Sequence, residues 1–234
     1  MTSSGRKLVI AIDGPSASGK STTARMVAER LRYLHVDTGA MYRALALKAL
    51  RAKLDLGDDG SVRYLLESSS VDFQAAGASS RVLLDGQDVT EEIRKGEVSQ
   101  KSSEIAALPA VRRWMVRRQR ALGQAGGVVM EGRDIGTVVL PDADLKVYLD
   151  ASSDERAKRR WLEEGGDGSG RPTAEVRRQL DERDHRDMTR SHSPLEAAAD
   201  AVTIDTTHLS VEEQVGKVLE EVKRILESAS EGTP

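Results

Sequence analysis

Five short apolar runs, separated by helix-forming stretches, dominate the pattern of hydrophobic and polar positions along the chain. They cover residues 8–12, 33–36, 128–131, 145–149 and 201–204, and most are β-branched and bounded by Gly, Asp or Pro. Runs of this kind, with helices between them, are typical of parallel strands that are buried on both faces. The pattern predicts an α/β fold with a five-stranded parallel sheet and helices on both faces.

Polar residues follow directly after each of these runs. They are Asp13, Asp37, Gly132 with Arg133 and Asp134, Asp150, and Asp205 with Thr206. Ligands of parallel sheets bind beyond the carboxyl ends of the strands. We therefore expect these residues to gather at one edge of the sheet and to form the functional site.

The stretch between the second and third runs is much longer than one crossover helix needs. Within it, residues 71–74, 80–84 and 87–90 predict three short strands, with a hairpin turn at Asp85 and Gly86. A helix over residues 98–122 is expected to break or kink at Pro109. We interpret residues 61–122 as an inserted subdomain with a small antiparallel sheet.

Residues 152–197 predict two charged helices joined by the glycine-rich residues 165–170. Such a connection is typical of a lid that closes over a ligand, and a surface helical hairpin is the alternative. A packing helix is predicted over residues 211–226, with an apolar stripe of Val211, Val215, Val218, Val222, Ile225 and Leu226. The core is then residues 6–60, 123–151 and 198–228 of a single domain, and residues 229–234 are expected to be a disordered tail.

Composition narrows the class of protein. The chain of 234 residues has no cysteine, which excludes disulfides, zinc–thiolate sites and thiol catalysis. No apolar run reaches membrane-spanning length, and the amino terminus lacks the apolar core of a secretion signal. With a net charge of -3, general attraction to nucleic acid is not expected. These features predict a cytoplasmic, monomeric protein without a membrane or nucleic-acid partner.

The first strand leads into the sequence GPSASGKS at positions 14–21, which matches the phosphate-binding pattern G-x-x-x-x-G-K-[ST]. In such a loop, backbone N–H groups and the following helix N-terminus bind phosphate oxygens. Lys20 can then reach the β and γ phosphates, and Ser21 can bind Mg²⁺ directly. The predicted ATP-binding residues are Gly14, Pro15, Ser16, Ala17, Ser18, Gly19, Lys20, Ser21 and Thr22. A glycine-rich turn without a ligand is the alternative.

Charged residues elsewhere suggest a second anion. Asp37 follows the second strand and either holds a magnesium-bound water or only caps the next helix. Arg133 and Asp134 are either an anion site or a structural ion pair. Arg183, Asp187 and Arg190 share one helix face, although a solvated charged helix gives the same pattern. This much arginine exceeds what one triphosphate needs, so two phosphate-bearing substrates are expected.

Other classes of protein fit the sequence less well than one that binds two phosphate-bearing substrates. A GTP-dependent switch that reads guanine through N-K-x-D is excluded, because the chain contains no asparagine. The four histidines have no metal-ligand spacing, and the few aromatic residues argue against a stacking platform for single-stranded nucleic acid. An enzyme that transfers phosphate to a small acceptor, such as a nucleotide or a small alcohol, fits the two anion sites and remains open as to its acceptor.

Four segments together resemble the bacterial cytidylate kinase family. They are GPSASGKS, DTGAMYR at 37–43, EGRDIGTVVLPDADLKVYLDAS at 131–152 and ERDHRDMTR at 182–190. The resemblance implies transfer of the ATP γ-phosphate to CMP or dCMP with Mg²⁺. It also implies a core, an inserted monophosphate-binding part and a short lid, which coincide with the segments predicted above.

The resemblance also implies roles for individual residues. Arg43, Arg133 and Arg190 match positions that bind the acceptor phosphate, whereas Ser103, Arg112 and Asp134 match those that read the cytosine edge. Arg183 and Asp187 match ribose-binding positions. Thr38 stands where many relatives have serine, so the hydroxyl is kept. The expected catalytic residues are Lys20, Arg133, Arg156 and Arg159, the last two as lid arginines that stabilise charge, and Asp37 is expected to hold Mg²⁺ through water.

Overall fold

The computed structural model describes residues 7–76, 79–169, 171–190 and 193–231. The strands in these ranges are β1 (Val9–Asp13), β2 (Leu34–Asp37), β3 (Val71–Ala76), β4 (Ser79–Leu84), β5 (Gln87–Asp88), β6 (Val128–Gly132), β7 (Leu145–Asp150) and β8 (Val202–Asp205). The α-helices are α1 (Lys20–Leu31), α2 (Thr38–Arg51), α3 (Asp59–Glu67), α4 (Gly96–Ala106), α5 (Pro109–Gly123), α6 (Ser153–Glu163), α7 (Thr173–Thr189) and α8 (Val211–Glu231).

The main sheet is parallel, with the strand order β2-β6-β1-β7-β8. This confirms the five strands expected from the apolar runs, and each strand continues into the polar residue after its run. Asp13 at the end of β1 pairs with Gly132 at the end of β6. The loop that follows β1 therefore lies at the centre of the sheet, beside the polar ends of its neighbours.

Alternate side chains of β1 point to different apolar layers. Ile10 and Ile12 pack in a cluster that includes Val215 and Val218 of α8. On the other face, Ala11 packs in a cluster with residues of β6, α5 and a π-helical turn over Ile135–Val139. The sheet is thus covered on both faces, as its near-continuous apolar strands predict.

The insertion between β2 and β6 contains the predicted antiparallel sheet, in the order β3-β4-β5. Its tight turn has positive φ at both central residues, Asp85 (51°) and Gly86 (80°), as a type I′ hairpin requires. The last strand stops at Asp88, two residues before the predicted end. The predicted helix over residues 98–122 is two helices, and Pro109 is the first residue of α5, where its missing N–H costs nothing.

Helices α6 and α7 form the predicted charged pair, joined by a short 3₁₀ turn over Gly166–Ser169, while Gly170 lies outside the described residues. Helix α7 ends at Thr189, well before the predicted end at residue 197, because Arg190 is extended and Pro194 follows soon after. Trp161 of α6 packs with residues of α7 and with Ala17, and its indole N–H donates to the Arg171 carbonyl at 2.9 Å.

Helix α8 continues to Glu231, so residues 229–231 of the predicted tail are helical, and residues 232–234 lie outside the described part of the chain. Val215, Val218 and Val222 of the predicted stripe are buried. Val211 and Leu226, at the two ends of the stripe, are 38% and 39% exposed. In the described ranges no helix is both long and apolar enough to cross a membrane.

Candidate active site

The loop between β1 and α1 has a backbone that most side chains would not fit. Gly14 and Gly19 have φ values of 153° and 91°, and Ala17 also lies in the left-handed region at 59°. A Cβ on Gly14 would come within 2.1 Å of the Leu149 carbonyl oxygen, and one on Gly19 within 2.7 Å of Gln214 Oε1. The two glycines of the phosphate-binding pattern are therefore required by close packing as well as by conformation.

Lys20 lies folded against this loop. Its ammonium group donates a hydrogen bond to the Pro15 carbonyl at 2.9 Å, and the side chain is buried. Burial, together with the positive charges of Arg133 and Arg183, lowers the pKa of Lys20 to about 7 against the opposing effect of Glu131. The lysine and the predicted acceptor arginines thus share one electrostatic environment.

Glu131, the last acidic residue of β6, connects the loop to β2. Its Oε2 accepts a hydrogen bond from the Ser21 hydroxyl at 2.6 Å, its Oε1 lies 3.0 Å from His35 Nε2, and its backbone carbonyl accepts from the Thr38 hydroxyl at 2.7 Å. Glu131 is 2% exposed. The sequence predicts Glu131 only as the last residue of the third apolar run, although an acidic residue in that position beside a phosphate-binding loop is a usable signal.

Asp37 is the N-cap of α2 and the partner of an arginine. Its Oδ1 accepts from the Ala40 N–H at 3.0 Å, and its Oδ2 accepts from Arg43 at 2.8 Å. Burial works to raise the pKa of Asp37, but Arg43, His35 and the Ala40 N–H outweigh it and lower the pKa. The capping alternative is therefore realised, and the magnesium role of Asp37 stays a prediction.

Arg133 joins the phosphate-binding loop to α7. Its Nη1 donates to the Gly14 carbonyl at 3.0 Å, and its Nη2 donates to the Ser16 hydroxyl at 2.7 Å. Its Nε donates to Asp187 at 2.9 Å. One guanidinium therefore contacts both the predicted ATP loop and the predicted acceptor side.

A second cluster lies beside Arg133. Arg112 donates to Asp134 in a buried ion pair, and Arg190 lies 3.7 Å from Asp134 and 3.6 Å from Asp187. Burial raises the pKa of the nearby Tyr42 to about 12. Arg112 Nε and Arg190 Nη2 are buried without a hydrogen-bond partner among the described residues. Since buried donors are normally satisfied, these two atoms favour a polar ligand at this place.

Arg183 and Asp187 lie next to this cluster on α7. Burial and the charge of Arg133 lower the pKa of Arg183 to about 10, and Arg183 has no ion pair with another described residue. Burial favours a higher pKa for Asp187, but Arg133, Arg190 and Arg183 make it lower than usual. The charges of α7 are thus held close together, as expected for a site that receives an anion.

The two predicted lid arginines are bound to protein groups. Arg156 pairs with Asp184 and also donates to the carbonyls of Ala151 (3.1 Å) and Ser16 (3.3 Å). Arg159 donates to Glu155 at 3.0 Å and to the hydroxyl and carbonyl of Thr206 at 3.0 and 2.6 Å. Their role in stabilising charge during transfer stays a prediction.

Two predicted site residues remain apart from this network. Ser103 is half-buried on α4, and Thr22 is exposed on α1, and no hydrogen bond within the described ranges connects either one to the residues above. Asp13, one of the polar residues expected at this edge of the sheet, is fixed there by its carboxylate, which accepts the N–H groups of Ile135 (2.9 Å) and Gly136 (2.7 Å). Burial raises the pKa of Asp13 to about 6.

A phosphate-binding loop at the centre of a parallel sheet, facing an arginine-rich second cluster, defines a P-loop kinase. Comparison with known proteins identifies the kind of kinase. A family model described as Cytidylate kinase matches residues 10–224. The chain belongs to the cytidylate kinase family, and cytidylate kinase activity follows from that membership.

Individual relatives cover almost the whole chain. The cytidylate kinase of Desulfitobacterium hafniense is 51% identical over 214 residues, which are 92% of each chain. That of Bacillus velezensis is 49% identical over 219 residues, which are 94% of this chain and 98% of the relative. A solved structure of an uncharacterized protein from Eubacterium ventriosum matches the fold alone, with a TM-score of 0.51, 14% identity, and coverage of 94% of this chain and 99% of that one.

Proposed function

We propose that this enzyme transfers the γ-phosphate of ATP to CMP or dCMP in the presence of Mg²⁺. The observation that carries the proposal is the position of Arg133, whose guanidinium contacts the phosphate-binding loop at Gly14 and Ser16 and the acceptor cluster at Asp187. Phosphoryl transfer depends mainly on positioning and on neutralising charge. A guanidinium between donor and acceptor suits both needs.

On the donor side, the residues from Gly14 to Thr22 would hold the triphosphate. The helix α1 begins at Lys20, so its N-terminal N–H groups and dipole favour an anion there. Lys20 lies in the loop with a pKa lowered to about 7, and a bound triphosphate would favour its charged form. Lys20 then neutralises charge on the group that is transferred.

The residues beside the loop suit Mg²⁺. This ion prefers oxygen ligands, keeps several waters, and takes only one or two protein groups besides the nucleotide phosphates. The Ser21 hydroxyl and the Glu131 carboxylate are such ligands, and they lie 2.6 Å apart. Ser21 would hold the ion directly, and Glu131 or Asp37 would hold one of its waters. When bound, the ion neutralises charge on the phosphates.

On the acceptor side, the arginines would hold the phosphate of CMP, and Arg112 with Asp134 would read the base. Arg112 Nε and Arg190 Nη2 are buried hydrogen-bond donors without an acceptor among the described residues, and a bound nucleotide would supply one. The predicted acceptor residues are Thr38, Arg43, Ser103, Arg112, Arg133, Asp134, Arg183, Asp187 and Arg190. A small neutral alcohol would leave this arginine cluster without a phosphate to bind, so it fits less well.

A coupled assay of ADP release tests the proposal. With ATP as donor, CMP and dCMP should be turned over much faster than UMP, and AMP should be the poorest acceptor. EDTA should abolish turnover, and added Mg²⁺ should restore it. Turnover of AMP equal to or better than that of CMP would disprove the assignment of cytidine nucleotides as acceptors.

A further inference from the structure

The buried face of α7 includes one carboxylate, that of Asp184. Val176, Leu180 and Asp184 follow one another at intervals of four residues and therefore lie on one face of the helix. Val176 and Leu180 pack with Ala157 of α6 and with Ala17 of the phosphate-binding loop. Asp184 is 4% exposed, although an acidic residue is rarely buried without a partner.

The partners of Asp184 belong to the phosphate-binding loop and to α6. Its Oδ1 accepts the backbone N–H of Ser16 at 3.1 Å, and its Oδ2 accepts a charge-assisted hydrogen bond from Arg156. Arg156 in turn donates to the Ser16 carbonyl at 3.3 Å. Both backbone groups of Ser16 are therefore held by an ion pair between the two lid helices.

The same helix carries two predicted acceptor residues. Arg183 precedes Asp184, and Asp187 follows it by three residues, nearly one turn later. Asp187 accepts from Arg133, which donates to the Ser16 hydroxyl. A displacement of α7 from the phosphate-binding loop would therefore move the acceptor groups relative to the donor loop.

We propose that Asp184 is a positioning residue that fixes α7 to Ser16 and thereby sets the distance between the phosphate donor and the ribose-side groups Arg183 and Asp187. The inference rests on the proposed function, because it needs an acceptor beside α7. It assigns no contact between Asp184 and either substrate. A misplacement of about 1 Å between reacting groups is enough to slow a reaction about 100-fold.

The test compares Asp184→Asn with the matched variant Asp181→Asn. Asp181 lies one turn away on α7, its side chain is 47% exposed, and it lies 3.9 Å from Arg156. For Asp184→Asn we expect about a tenfold rise in KM for CMP and about a tenfold fall in kcat, with a much smaller change in KM for ATP. Asp181→Asn should keep the parental values.

A second measurement separates positioning from general stability. Amide hydrogen exchange should become faster in α7 and at Ser16 in Asp184→Asn and should be unchanged in Asp181→Asn. A structural role alone would lower the melting temperature and the active fraction but leave KM for CMP at the parental value. That result, in a parent that does turn over CMP, would overturn the inference.

Asp184→Glu is a second test of the proposal and applies if the Asp184→Asn variant does not fold. Glutamate preserves the charge that pairs with Arg156 but adds one methylene between the helix and the loop. We expect a melting temperature close to that of the parent together with a raised KM for CMP. Parental kinetics in Asp184→Glu would count against the proposal. A parent protein that does not phosphorylate CMP would instead refute the proposed function.

Discussion

Arg133→Ala is the substitution that tests the site most directly. It removes four hydrogen bonds at once, to Gly14, Ser16, Asp187 and the neighbouring Gly132 carbonyl, and with them the guanidinium between the predicted donor loop and acceptor cluster. Of its contacts with described side chains, the Asp187 carboxylate would then keep the longer one to Arg190 at 3.6 Å. The loop itself would remain, because its close-packed glycines do not depend on Arg133.

The expected loss of activity in Arg133→Ala follows from the position of the guanidinium charge between the two predicted substrate sites. Loss of one preorganised donor to a developing negative charge costs about 10²–10³ in kcat. We expect a loss of this size in kcat/KM for CMP, because Arg133 is the predicted acceptor-phosphate residue. The free energy of unfolding should fall by about 1–3 kcal/mol, since Arg133 is only partly buried and Asp187 keeps its contact with Arg190. In a chain of this size that lowers the melting temperature by roughly 2–4 °C per kcal/mol.

The assay is ADP release with CMP and ATP titrated separately, together with a thermal melt. Arg186→Ala is the control, since Arg186 is an exposed arginine of α7 whose Nε donates only to the Glu182 carbonyl at 3.3 Å among the bonds of the described residues. It should change neither titration. If Arg133→Ala raised KM for ATP as much as KM for CMP, or lowered kcat/KM less than tenfold, Arg133 would not be an acceptor-side residue.

Three further predictions concern the phosphate-binding loop. Because its pKa is lowered to about 7, Lys20 is mostly neutral at pH 8. A bound triphosphate favours the charged lysine, so binding of MgATP at pH 8 should take up about one proton. Calorimetry in two buffers of different ionisation enthalpy measures this uptake. Lys20→Met should abolish the uptake, and proton release by the parent would contradict the reasoning. Without nucleotide, Lys20 makes the free energy of unfolding rise between pH 7 and 10.5, because the unfolded chain binds more protons there. Gly19→Ala places a Cβ 2.7 Å from Gln214 Oε1 at a φ of 91° and should lower the free energy of unfolding by about 1–3 kcal/mol in urea melts. Gly168→Ala, where nothing lies within 4 Å, is its control, and equal unfolding midpoints for the two variants would refute the packing argument.

The sheet and its active edge could be predicted because their signals are local. An apolar run bounded by turn residues marks a buried strand, and the polar residue after it marks the end that binds ligands. The break at Pro109 and the turn at Asp85 and Gly86 are equally local, since each depends on the backbone freedom of one or two residues. Such features can be recognised without knowing which residues pack against them in the folded protein.

Asp184 and Glu131 could not be recognised in the same way. The sequence around Asp184 alternates acidic and basic residues, which is also the pattern of a solvated helix. Only the packing of α7 against the loop shows that this one carboxylate is buried. The contacts of Arg156 could not be recognised from the sequence either, since the resemblance implies only a charge-stabilising role and the packing alone shows hydrogen bonds to Ser16, Ala151, Ser153 and Asp184.

Trp161 gives this enzyme an internal optical reporter. Its indole lies among α6, α7 and Ala17 of the phosphate-binding loop, with the N–H fixed on Arg171. Only one other tryptophan is present in the chain, Trp114, and it stacks against Arg118 in the insertion. Replacing Trp114 by phenylalanine leaves a single tryptophan at the junction of α6, α7 and the phosphate-binding loop. We expect nucleotide binding at this junction, and movement of α6 and α7 against the loop, to change its fluorescence without any added label.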